Sequence, residues 1–180
     1  MTIEKIIASL PNRDARERRE MRSNAERLLA SGPEARNADA QRLLDALASY
    51  EQEERDQRIA RAAGMDRADL IVEAFTSRPM TETEKKVVRV LLDNPGLRSI
   101  DLTAKLGWGG KAWHAHFGKM CHDRMADLWP AESFEDKPDV SFYSGLLADV
   151  TDKTVPFTMR PEAVEAFARL GLTAAETGKP

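Results

Sequence analysis

The stretch GGKAWHAHFGKMCHDR, residues 109–124, holds all three histidines and the only cysteine of a 180-residue chain. Such side chains at close spacing fit three kinds of site: metal ligands, a thiol nucleophile beside an imidazole base, or a helix face offered to a polyanion. Helical geometry separates them. Ligands on one helix stand three or four residues apart, whereas His114 and His116 point apart, as do Cys121 and His122. His114 and Cys121 come near one line, but about 10 Å apart along the axis. Cys121 falls on an apolar face, where a thiol is inert. Neither a G-x-x-x-x-G-K phosphate loop nor an HExxH pair occurs. The expectation is binding without chemistry: no enzyme, no metal, no cofactor.

At about 100° per residue, Trp113, Phe117, Met120, Cys121 and Leu128 share one side of a helix and form its buried face. Arg124 shares that side and must snorkel past the apolar stem or pair with an acid. The opposite side carries Lys111, Ala115, Gly118, Lys119 and His122, with His114 at its edge. Between residues 105 and 124 there are four basic residues, Lys105, Lys111, Lys119 and Arg124, to one acid, Asp123. Small residues in the middle of an outward face let a backbone come close to a surface, as a helix entering the major groove must. Gly118 costs about 1 kcal/mol of helix stability relative to Ala, which calls for a reason in packing or approach.

The neighbouring segments must hold that helix in place. In TETEKKVVRVLLDNPG, Thr81 and Glu84 stand at capping-box spacing, Val87, Val88, Val90, Leu91 and Leu92 supply a buried face, and Asn94-Pro95-Gly96 ends the helix. LRSIDLTAKLG follows as a short helix, with Ser99 as N-cap, Ile100, Leu102 and Leu106 inward and Gly107 past its end. After Pro130, VSFYSGLLADV and VPFTM have strand composition and TDKT between them is turn chemistry, which predicts a hairpin. Pro161 opens a last helix that Gly171 ends. Upstream, Asp66 caps a helix that Pro79 closes. Residues 12 to about 63 form two charged helices broken at Gly32-Pro33, the first beginning near Asn12 or Asp14 and turning Ala15, Met21, Ala25, Leu28 and Leu29 inward, the second burying Leu43, Leu44, Leu47 and Tyr50. The Arg run in NRDARERREMRSNAER is interleaved with acids at helical spacing and reads as a solvated, ion-paired face.

The order helix, short helix, glycine turn, longer helix, hairpin, helix resembles the winged helix-turn-helix superfamily. LLDNPGLRSIDLTAKLGWGGKAWHAHFGKM is similar to its first two helices, turn and recognition helix, and SFYSGLLADVTDKTVPFTM to its wing; the likeness covers about residues 81–171. It implies a winged helix-turn-helix domain over 80–172; with the charged helices read before it, the fold is expected to be mainly α, with an N-terminal helical hairpin over 1–79 and a tail over 173–180. The resemblance further implies sequence-specific binding of double-stranded DNA by a transcriptional regulator. Lys111, His114, Ala115, Gly118, Lys119 and His122 would face the groove, Arg98 and Lys105 the phosphates, and Lys153 at the wing tip a phosphate, weakened by Asp149 and Asp152.

Composition bounds the reading. A net charge of -3 gives no overall field toward nucleic acid, so any such site is local. No apolar run suits a signal peptide or a membrane span, and one cysteine makes no internal disulfide; a cytoplasmic, soluble protein is expected. The narrow apolar stripes of the N-terminal helices favour a homodimer through them. The alternative is a winged-helix adaptor or inhibitor that uses the same helix against a protein, which the acidic segment ESFEDKPD favours.

Overall fold

The computed structural model describes residues 2–33, 36–130, 143–149 and 156–175. The protein is mainly helical with a small two-stranded antiparallel sheet, and it divides into two compact units, Met1–Gln57 and Arg58–Pro180. This division differs from the one read at residue 79. Ala68, Ile71, Ala74 and Phe75 are buried in the same core as the helices that follow them, so their segment belongs to the second unit.

In the first unit, α1 (Ile3–Ala8) leads through a 3-10 turn to α2 (Ala15–Ser31), and α3 (Asn37–Ala62), which belongs to this unit as far as Gln57, returns beside it. Asp14 caps α2 by accepting from the Arg16 and Glu17 N–H groups, and the Glu17 side chain accepts from the Asp14 N–H in return. Arg18 pairs with Glu54 and Arg22 with Glu51, an order that makes α2 and α3 antiparallel. Arg13–Glu17 and Arg16–Glu20 pairs line the outer side of α2, as the interleaved charges predict. Ala25, Ala40 and Leu47 are buried, while Met21, Leu28, Leu29, Leu43, Leu44 and Tyr50 are half-buried. Ala15, expected inward, is exposed in the first turn.

The second unit stacks α4 (Arg67–Ser77), α5 (Glu82–Asp93), α6 (Ser99–Lys105), α7 (Ala112–Asp123), α8 (Met125–Leu128) and α9 (Pro161–Arg169) around one core. The Asp66 cap on α4 and the Thr81–Glu84 capping box on α5 are both present. All five apolar residues assigned to the inner face of α5 are buried, as are Trp113, Phe117, Met120, Cys121 and Leu128. Each fully buried large apolar side chain contributes about 1.5–3 kcal/mol, so these two faces are a major part of the favourable side of folding in this unit.

Strand β1 (Ala148–Asp149) pairs antiparallel with β2 (Thr158–Met159), Ala148 opposite Met159. Phe157 forms a further antiparallel bridge to Leu97, just before α6. The strand expected through Tyr143 is shorter than the sequence suggests, because Tyr143–Leu146 is a 3-10 turn. Ser144 through Ala148 are all buried, an arrangement a strand forbids because it sends alternate side chains to opposite faces. The TDKT turn with Lys153 and Asp152, the acidic segment ESFEDKPD and the tail from residue 176 lie outside the described residues.

Candidate nucleic-acid interface

Three fastenings set the position of α7. At its start, Gly107 (φ 69°) and Gly110 (φ 62°) take the left-handed backbone conformation that glycine adopts without steric cost, and so turn the chain between α6 and α7. Thr103, buried on α6, donates through Oγ1 to the Ser99 carbonyl at 2.7 Å and accepts the Trp113 N–H at 3.2 Å, so one hydroxyl joins α6 to the first turn of α7. Along its length, Trp113 Nε1 donates to the Val87 carbonyl at 3.0 Å, and the indole stacks on Phe117 and meets Phe157 edge-on.

At its end, the Arg124 guanidinium donates to both Glu84 carboxylate oxygens at 2.9 and 3.1 Å, to the carbonyls of Arg78, Pro79 and Met120, and lies over the Phe75 ring. It is 1% exposed. The misplaced charge on the apolar face is thus the clasp between α7 and the first turn of α5. Burial raises the Glu84 carboxyl, but the hydrogen bonds from Arg124 and the Thr81 N–H outweigh it and leave the group below its ordinary value.

The outward side of α7 carries Lys111, Ala115, His116, Lys119 and His122, all exposed. Lys111 occupies the N-cap position, and Lys119 reaches Asp123 at 2.7 Å, a carboxylate it shares with Arg78. Burial raises Asp123, and the hydrogen bond from Lys119 with the charge of Arg78 more than reverses that, so it stays ionised. His122 packs edge-on against Tyr143 at 4.7 Å, and half-buried His114 against Phe157 at 5.4 Å. Both rings therefore stand on the side of α7 that meets the hairpin segment. Burial first, then the charge of Lys111, hold the His114 imidazole below its ordinary 6.5. A Cβ at Gly118 would meet only His114 Cδ2, at 3.9 Å, so packing does not require this glycine.

Of the three residues assigned to phosphates, Lys153 lies outside the described residues, and Arg98 and Lys105 belong to the ends of α6. Arg98 is at the N-cap of α6, engaged with both oxygens of Asp101 at 2.9 and 3.3 Å. Ser99, read as that cap, is the first helical residue and has no capping side chain beside it. Lys105 lies with Lys85, Lys86 and Arg89 along a groove between α5 and α6. Ile100, expected inward, is 56% exposed, and Thr103 takes the inward place. Asp149 stands 3.3 Å from Arg160 Nε, so its charge is compensated at the hairpin.

Sequence reasoning weighed His116 as a metal ligand only, and passed over Thr103 and the basic side of α5. The i, i+3 spacing of Lys86 and Arg89 is the signal that marks that side. Among the described residues, no three His, Cys, Asp or Glu side chains converge as metal ligands, and no helix is long and apolar enough to cross a membrane. Comparisons with family models, curated proteins and solved structures give no match to this chain.

Proposed function

We propose that the second unit is a winged helix-turn-helix module that binds double-stranded DNA with α7 in the major groove, as a transcriptional regulator that performs no chemistry. The observation that carries this reading is the outward side of α7. Lys111, Ala115, His116, Lys119 and His122 lie along a single helix held from behind by Thr103, Trp113 and Arg124, with no large aliphatic side chain projecting from that side. A helix about 10–12 Å across matches a groove about 12 Å wide, and low side chains let its backbone approach base edges. The Leu97–Phe157 bridge supports the reading as well, since it ties the hairpin to the chain entering α6. Half-buried leucines in the first unit support self-association through α2 and α3.

A protein surface is the second reading for the same helix. Asp123 compensates Lys119, which lowers the local charge, and Tyr143 places an aromatic ring beside His122. A mobility-shift experiment with duplexes from around the protein's own coding region decides between the two. Binding of a particular duplex in the submicromolar range supports the DNA reader. A folded protein that shifts none of them at low salt overturns it in favour of protein docking.

A further inference from the structure

The groove between α5 and α6, about 630 Å³, lies apart from the α7 face. Its walls carry Lys85, Lys86, Arg89 and Lys105, and Val90 and Leu106 add apolar surface. Lys85 is held by Glu82 at 2.7 Å, whereas Lys86, Arg89 and Lys105 are exposed and form no ion pair among the described residues. At the far end, Asp93 accepts the Ala175 N–H at 2.6 Å. We propose that this groove docks a short acidic segment of a partner protein, anchored by an aliphatic side chain between its carboxylates, at a site separate from the α7 face.

Three features select that occupant. Lys86, Arg89 and Lys105, which form no ion pair among the described residues and outnumber the nearby Glu82 carboxylate, call for an anion. Half-buried Leu106, beside the edge of the buried Val90, offers an apolar side chain contact that a phosphodiester backbone cannot use. Glu82 and Asp93 stand at the two ends of α5, about 16 Å apart at 1.5 Å per residue. A continuous run of phosphates would pass both carboxylates, while a short acidic segment fits between them.

The groove is also distinct from the outward side of α7. On α5, Arg89 and Lys85 project about 160° around the helix from Val87, the residue whose carbonyl receives Trp113 of α7. On α7, Lys111 and Ala115 lie about 160° around from Trp113. None of the residues lining the groove belongs to α7, so the two surfaces are built from different side chains. The inference stands on the α5 and α6 residues alone and does not depend on what α7 binds.

The test is fluorescence anisotropy with the full-length protein and a fluorescein-labelled peptide of Asp and Glu flanking Leu. An all-acidic peptide of the same length and a single-stranded oligonucleotide serve as comparison probes. The Leu-containing peptide should bind, the all-acidic one more weakly. Lys86→Glu/Arg89→Glu should weaken binding about tenfold or more, the sum of two reversed charge contacts. Lys105→Glu should weaken it in the same direction, and Lys111→Ala/Lys119→Ala should leave it unchanged. These charge reversals fall on exposed residues, and thermal melts establish that each variant is folded; because Lys105 sits on a different helix, it decides the matter if the α5 double variant does not fold. Absence of peptide binding at low salt, or binding indifferent to both reversals, overturns the proposal. So does tighter binding of the oligonucleotide through the same residues, which would give the groove to nucleic acid.

Discussion

Arg124, just after α7, grips Glu84 in the first turn of α5 through contacts of 2.9 and 3.1 Å, and Glu84 simultaneously accepts the Thr81 N–H at 2.8 Å. One carboxylate therefore closes the capping box of one helix and fastens the end of another. Removing either partner leaves a charge with unmet hydrogen bonds in a nearly dry site. Arg124→Ala is expected to cost about 3 kcal/mol or more, as loss of one member of a buried pair does. Urea unfolding measures it, and a loss within the scatter of surface substitutions contradicts the clasp.

The same pair gives a pH dependence. The Glu84 carboxyl lies below its ordinary 4.5 in the folded protein, so its contribution is complete above that value and is lost as pH falls through the folded value. Stability of the native protein should therefore fall more steeply below about pH 4.5 than that of Glu84→Gln. Denaturant midpoints across acid pH supply the comparison; parallel profiles count against the assignment.

Thr103→Val removes the hydroxyl that bonds Ser99 and Trp113 while keeping the shape. A cost of about 1–2 kcal/mol follows from two hydrogen bonds, with the buried Trp113 N–H left unsatisfied. Duplex affinity should drop as well, because the start of α7 loses its tether. A variant as stable as the parent would show that the turn glycines alone set the angle.

Much of the second unit was legible because its signals are local. The 3.6-residue period of α5 and α7, the Thr81–Glu84 spacing and Pro161 each act within one or two turns. Ile100 was misread because α6 is only seven residues long, too short for a period to choose between it and Thr103; a tertiary hydrogen bond to Trp113 made that choice. Tyr143–Leu146 has strand composition, yet packing takes consecutive side chains inward there. The Arg124–Glu84 clasp and the groove at Lys105 join residues distant in sequence, and no spacing rule announces such pairs.

Gly118→Ala separates stability from approach. Space exists for the methyl, whose nearest neighbour outside the helix backbone is His114 Cδ2 at 3.9 Å, so the helix should gain about 1 kcal/mol. Duplex affinity should fall if the backbone at this turn nears the bases. Greater stability with undiminished affinity would remove close approach as the reason for the glycine.

His114, held below 6.5 by burial and by Lys111, is neutral near pH 7. Its folded value is the lower one, so its contribution to stability is present above 6.5 and declines as pH falls below it. His114→Gln should leave the pH profile of duplex binding between about 6.5 and 7.5 unchanged. A rise in affinity toward acid pH that vanishes in this variant would show that imidazolium at His114 contacts the DNA.

Whether the outward side of α7 meets phosphate and base edges is decided by the salt dependence of duplex binding, measured for the parent protein and for Lys111→Ala/Lys119→Ala. Affinity should fall steeply with salt, and the log-log slope of the double variant should be shallower by about one unit for each lost phosphate contact. A folded double variant with the parent's affinity and slope would contradict such contact.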